Sequence, residues 1–162
     1  MSTPKVLFIG QAPPAQPQSV AYDTTQLYDW FKAAGLDITP KNVWRYCRFE
    51  ALCDTFPGWD AKGGHKQPSA EQKSEAWDKV LRSAILESDT IVLVGAVAQT
   101  YITESVERVL NVVPNHGFSK KRFINLLHPS TRNISAYRKN AELIHETLKS
   151  ALPNAPKIQT CL

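Results

Sequence analysis

The chain has 162 residues, 43% of them hydrophobic and 21% charged, with a mean hydropathy of −0.30. At roughly 100 to 200 residues per domain this length predicts a single domain over residues 1–162, and the composition excludes a disordered, collagenous or coiled-coil chain. A formal net charge of +4 leaves a polyanionic partner open, and its distribution along the chain carries more than its total.

In chain order, Lys5 to Ile9 is a short apolar run closed by Gly10, the pattern of a strand buried on both faces of a parallel sheet. A loop with three prolines follows, and Thr24 or Thr25 is placed to cap a helix over about 25–34. Its Leu27, Trp30, Phe31 and Ala34 recur at helical spacing before Gly35. Residues 42–52 mix aromatic and β-branched side chains in an extended segment, whose limits Arg45, Arg48 and Glu50 blur. Residues 59–68 are a polar loop, and Ser69 with Gln72 forms a capping-box pattern for a helix that puts Trp77, Val80, Leu81, Ala84 and Ile85 on one face. Thr90 to Val94 is a second buried strand, ending in Gly95 and leading at once into a helix. Phe123 to Leu127 is a third strand of the same kind, stopped by His128-Pro129, and an amphipathic helix runs from Ser135 to Leu148. Strands alternating with helices predict a parallel α/β sheet covered on both faces.

No run approaches the roughly 18 to 20 apolar residues of a membrane span, and Met1 to Lys5 leads into Val6 without a signal-peptide pattern. A cytoplasmic protein with no membrane partner is expected. Cys47, Cys53 and Cys161 form no C-x-x-C pair, so neither a disulfide framework nor a zinc site is expected. Between Arg108 and Ala141 stand seven Lys and Arg (Arg108, Lys120, Lys121, Arg122, Arg132, Arg138, Lys139) and no Asp or Glu, whereas acidic residues outnumber basic ones elsewhere. Either a polyanion binds there or the window is a solvated basic surface.

In open parallel sheets ligands bind beyond the carboxyl ends of the strands. Those positions hold Gly10-Gln11-Ala12-Pro13-Pro14, Gly95-Ala96 and His128-Pro129-Ser130-Thr131-Arg132-Asn133. Each alone reads as an ordinary turn; together they resemble the uracil-DNA glycosylase superfamily. Three blocks carry the resemblance in family order: VLFIGQAP from Val6, IVLVGAVA from Ile91 and NLLHPSTRN from Asn125. Phe56-Pro57-Gly58 followed by Gly63-Gly64 and Pro68-Ser69 is similar to a loop of some bacterial members.

The resemblance implies a three-layer α/β/α fold with a mainly parallel four-stranded sheet, a monomer acting on DNA, and a pocket for a base flipped out of the duplex. It implies that His128 supports the carbonyl of the leaving base and that Gly10, Gln11 and Ala12 line the base site. Pro129, Ser130, Thr131, Arg132 and Asn133 would press on the DNA; independently of the resemblance, the charge of the basic window makes Lys120 and Lys121 candidate phosphate contacts. Tyr22 stands where the family often stacks an aromatic ring on the base, or is an ordinary, partly buried tyrosine. The first loop departs from the best-known branches because Gln11 and Ala12 supply no carboxylate. Gln11 can orient a water, and Asp23 or Glu50 would have to provide negative charge toward the sugar. By spacing, Glu50 also stands nearest the family's base-reading Asn, with Asn42 as the alternative; a surface or paired carboxylate is the favoured reading of Glu50, and an ionised carboxylate only accepts hydrogen bonds. The iron-sulfur branches use four cysteines, so neither cluster nor other cofactor is expected. The leading expectation is a monofunctional DNA base-excision glycosylase that hydrolyses the N-glycosidic bond of uracil or another deaminated base. The alternative is a catalytically weak DNA- or nucleobase-binding protein on the same scaffold. A Rossmann-like nucleotide binder is disfavoured because no G-x-G-x-x-G follows the first strand.

Overall fold

A computed structural model describes residues 5–13, 25–112 and 117–159. Four strands form one parallel sheet: β1 (Val6–Gly10), β2 (Cys47–Ala51), β3 (Thr90–Val94) and β4 (Arg122–Leu126), in the order β2-β1-β3-β4. Helices α1 (Thr25–Ala33), α2 (Ala70–Ala76), α3 (Arg82–Glu87), α4 (Ala96–Val112) and α5 (Ile134–Ala151) complete an α/β/α sandwich.

The central strands need apolar residues on both faces because helices cover both. Phe8, Val92 and Val94 pack with Leu27, Trp30 and Phe31 of α1 and with Ile144 and Leu148 of α5. Leu7, Ile9, Ile91 and Leu93 face the other way, toward Trp77, Leu81, Ala84, Ile85 and Ile102. This two-sided burial produces the continuous apolar runs of β1 and β3.

The outer strands are different. β4 is an edge strand, with Arg122 and Asn125 exposed and only Leu126 fully buried, so the expectation of a third strand buried like the first two is corrected. β2, the opposite edge, is shorter than the 42–52 segment. Before it, Asn42 accepts a hydrogen bond from the Thr39 amide and donates one to the Asp37 carbonyl, and this turn leads into a single 3-10 turn at Val43–Arg45. The helix expected after Ser69 contains a change of pitch. The Ser69–Gln72 capping box is present, but a π turn at Trp77–Leu81 separates α2 from α3, with Trp77 and Leu81 at its ends both buried. In α5, Asn140 leaves helical geometry (φ −119°, ψ 16°) and its side-chain amide donates to the Ala136 carbonyl, a local bond that competes with the helix.

Residues 152–158, after α5, pack on the domain. Leu152 and Ala155 are buried, and backbone bonds from Asp37 to Pro156 and from Ile158 to Gly35 hold them beside the segment after α1. Among the described residues, no helix is long and apolar enough to cross a membrane.

Candidate active site at the carboxyl edge of the sheet

In open α/β sheets a ligand crevice lies where the strand order reverses. Here β1 connects outward to β2 on one side and β3 to β4 on the other, so the reversal falls between the carboxyl ends of β1 and β3. On the β1 side, the carbonyls of Gly10 and Gln11 both accept from the Leu52 amide, at 3.1 and 3.2 Å, which keeps the ends of β1 and β2 paired beyond the ladder. Gly10 is buried, while Gln11, Ala12 and Pro13 are half-buried.

Gly95 ends β3 with φ +84°, a left-handed conformation that disfavours any residue with a Cβ. Its amide donates to the Leu126 carbonyl at 2.9 Å, tying the end of β3 to that of β4. A Cβ built at Gly95 would lie 3.3 Å from both Cβ and Cδ2 of His128. The glycine is therefore the floor on which the His128 side chain rests. Gln99, one turn into α4, reinforces the junction: its side-chain amide donates to the Leu93 carbonyl at 3.2 Å and to the Leu126 carbonyl at 3.0 Å.

The segment after β4 is built around the His128 backbone. The His128 carbonyl accepts from the Ser130 amide and from the Asn133 side chain, each at 2.9 Å, and the Asn133 amide returns a bond to the Ser130 carbonyl. Pro129 is buried and the 3-10 turn Thr131–Asn133 leads directly into α5, leaving Arg132 exposed at the tip. A half-buried imidazole thus projects from a loop locked by its own hydrogen bonds. This is what a group aimed at developing charge requires, since orientation fixed before the reaction is where such a donor gains its effect.

The remaining expected residues fall into three places. Tyr22 and Asp23 lie outside the described residues. Glu50 sits one residue before the end of β2, on the α2–α4 face, and accepts from Arg48 Nε at 3.2 Å, while Arg48 also pairs with Glu87 at 2.9 Å. Its carboxylate is thus engaged with a guanidinium, and Asn42, before β2, is held in a turn at the amino end of the sheet. Lys120 and Lys121 precede β4 and so stand at the amino edge; the five residues of β4 set them roughly 16 Å from its carboxyl end. The structure does not bring them together with His128.

Sequence reasoning assigned no role to Gly95, Gln99 or the scaffolding side chain of Asn133. The strand-Gly-helix turn at Gly95 was a visible signal, but its contact with His128 depends on β3 and β4 being neighbours. Beside Ser130, a cleft of about 320 Å³ opens between α1 and α5, lined by Asp29, Trp30, Tyr137 and Arg138 among others. Trp30 and Tyr137 stack at 4.7 Å, and the Tyr137 hydroxyl lies 2.6 Å from His145 Nε2. Burial first, and the Asp29 carboxylate second, raise the Tyr137 pKa. Among the described residues, Ser130 joins this cleft to the His128 loop. Cys47 and Cys53 are buried, and burial raises both thiols, so neither is an activated nucleophile. Among the described residues, no group of His, Cys, Asp and Glu could hold a metal ion.

An open parallel sheet flanked by helices, with a glycine-floored histidine at the carboxyl end of its last strand, defines an α/β protein with a candidate site at the strand ends. The family model of the Uracil DNA glycosylase superfamily matches residues 1–151, and the chain belongs to that superfamily. Its members are DNA glycosylases, hydrolases that act on DNA. Comparison with curated proteins gives no match.

Proposed function

We propose that the protein is a monofunctional glycosylase that hydrolyses the N-glycosidic bond of uracil or another deaminated base flipped out of DNA. The observation that carries this reading is the placement of His128, seated on Gly95 and held by a loop bonded to its own backbone. As the bond from C1′ to the base breaks, its electron pair passes to the base, and His128 donates a hydrogen bond to the carbonyl oxygen where that charge collects. Gln11 orients the water whose oxygen bonds to C1′ and whose proton is released. Asp23 supplies the negative charge that faces the sugar cation. Arg132 and the exposed tip of its loop meet the backbone beside the flipped nucleotide.

A second reading has its own support. Gln11 and Ala12 carry no carboxylate and Glu50 is paired with Arg48, so a protein that binds DNA or a base and hydrolyses slowly fits the same scaffold. One experiment separates the two. Labelled oligonucleotides carrying uracil, hypoxanthine, xanthine or an alkylated base are incubated with the protein, then treated with alkali to cleave abasic sites. The proposal expects cleavage at one or more of these bases and a loss of about 10² or more in His128→Ala, with a smaller change in DNA affinity. Binding without cleavage at any base selects the second reading, and equal losses of binding and cleavage in His128→Ala make that histidine structural.

A further inference from the structure

The segment leaving the carboxyl end of β2 folds into a small hairpin that the proposed chemistry does not use. Trp59 and His65 face each other across an antiparallel bridge, and backbone bonds run from Asp60 to Gly64 and from Lys66 to Gly58. One Asp60 carboxylate oxygen accepts from the amides of Lys62 and Gly64, at 2.9 and 2.8 Å, so this side chain shapes the turn. Phe56, Trp59 and His65 form a three-ring cluster with centroids 4.9 to 5.2 Å apart, all in edge contacts. Trp59 nevertheless remains 56% exposed. Lys62 and Lys66 are exposed on the same turn.

A tryptophan held in place by two other rings, yet open to solvent and flanked by lysines, has the features of a stacking platform for nucleic-acid bases. Each base offers a π face, and the lysines meet phosphates. Its position in the sheet adds a second argument. β2 and β4 are the two edges, three strand spacings or about 14 Å apart, so this hairpin and the His128 loop spring from opposite sides of the crevice.

Resting on the proposed action on DNA, we infer that the Phe56–Trp59–His65 hairpin is a second DNA-contacting arm, in which Trp59 stacks on an unpaired base on the side of the flipped nucleotide away from the His128 loop. The arm fixes the DNA from the β2 edge while the His128 loop engages it from the β4 edge. With a duplex rise of 3.4 Å per nucleotide on each strand, a separation of about 14 Å corresponds to about four nucleotides. The arm therefore reads flanking strand and leaves the chemistry to the crevice.

The test uses the full chain and fluorescence anisotropy on labelled oligonucleotides that carry a non-hydrolysable abasic-site analogue, either single-stranded or opposite a mismatched, unpaired flank. Trp59→Ala is expected to weaken binding about tenfold, and Trp59→Phe, which keeps a ring against Phe56 and His65, to retain most of the affinity and the wild-type melting temperature. Trp44 is the internal control: it is 49% exposed, but it lies in the turn before β2, at the amino edge. Trp44→Ala is expected to bind like wild type. Shortening the flank on that side to fewer than about four nucleotides should weaken the wild type and leave Trp59→Ala unchanged. Unaltered affinity in Trp59→Ala, or an equal loss in Trp44→Ala, overturns the arm while excision that depends on His128 still supports the proposed function. A wild type that binds none of these oligonucleotides overturns both.

Discussion

The two ends of the sheet use polar residues in opposite ways. At the amino edge, cations close helix ends: the ammonium groups of Lys5 and Lys121 donate to the Glu87 and Leu86 carbonyls at the end of α3, and the Arg122 guanidinium donates to the carbonyl and hydroxyl of Ser150 near the end of α5. A helix C-terminus carries partial negative charge and unpaired carbonyls, so these contacts satisfy the fold. At the carboxyl edge the scaffold is made of glycine, amide and backbone groups, through Gly95, Gln99 and Asn133, and the imidazole of His128 is what they hold in place. One basic window of sequence is thus divided between structural work at one end and a candidate DNA rim at the other, and charge counted along the chain does not distinguish the two.

The strongest way to break this comparison is to disturb the floor of the carboxyl edge. Gly95→Ala introduces a Cβ 3.3 Å from His128 at a backbone position with φ +84°. The left-handed conformation costs a non-glycine residue on the order of 1–2 kcal/mol, which a thermal melt will show as a lower midpoint. The larger effect is expected in the reaction. A shift of His128 by even part of an ångström misaligns a donor whose effect depends on geometry, so excision should fall by about 10²-fold in single-turnover assays while DNA affinity changes little. Wild-type excision by Gly95→Ala would mean that His128 does not need the glycine beneath it.

A smaller effect tests which cations touch DNA. Arg132→Ala, at the exposed tip of the His128 loop, should weaken binding and reduce the slope of log affinity against log salt by about one. The doubly substituted Lys120→Ala, Lys121→Ala protein should keep the wild-type slope, because both residues stand at the amino edge. The reverse pattern would move the DNA interface to the far end of the sheet.

How much of this was legible in the sequence follows from how each element is buried. β1 and β3 lie between two helical layers, so their residues had to be apolar throughout, and the runs ending in Gly10 and Gly95 disclosed both strands and their order in the motif. β2 and β4 are edges, where Arg48, Glu50, Arg122 and Asn125 interrupt the pattern; the first strand was blurred and the second read as more buried than it is. The His128 loop was visible as a local motif. The contact of Gly95 with His128 was not, because residues 33 positions apart meet only once the sheet order puts β3 beside β4. Lys120 and Lys121 misled for the converse reason: they are near His128 in sequence, but an extended strand carries the chain from one edge of the sheet to the other.

The smallest expected effect sharpens the structural side of the comparison. Lys121→Ala removes the ammonium that donates to the Leu86 carbonyl at 2.8 Å, one of two lysines on the last turn of α3. The contact is solvent-exposed, so its loss should cost only about 0.3–1 kcal/mol, and Lys5 on the neighbouring Glu87 carbonyl limits it further. For a chain of this length the melting temperature should drop by about one to three degrees. Because the stabilisation is electrostatic and screened, that deficit should shrink when the melts are repeated in high salt. Excision and DNA affinity should match wild type, since a helix end at the amino edge can lose a cation without moving the Gly95–His128 contact at the other end. A drop in DNA affinity as large as that of Arg132→Ala, with the melting temperature unchanged, would show that Lys121 serves the ligand and not the fold.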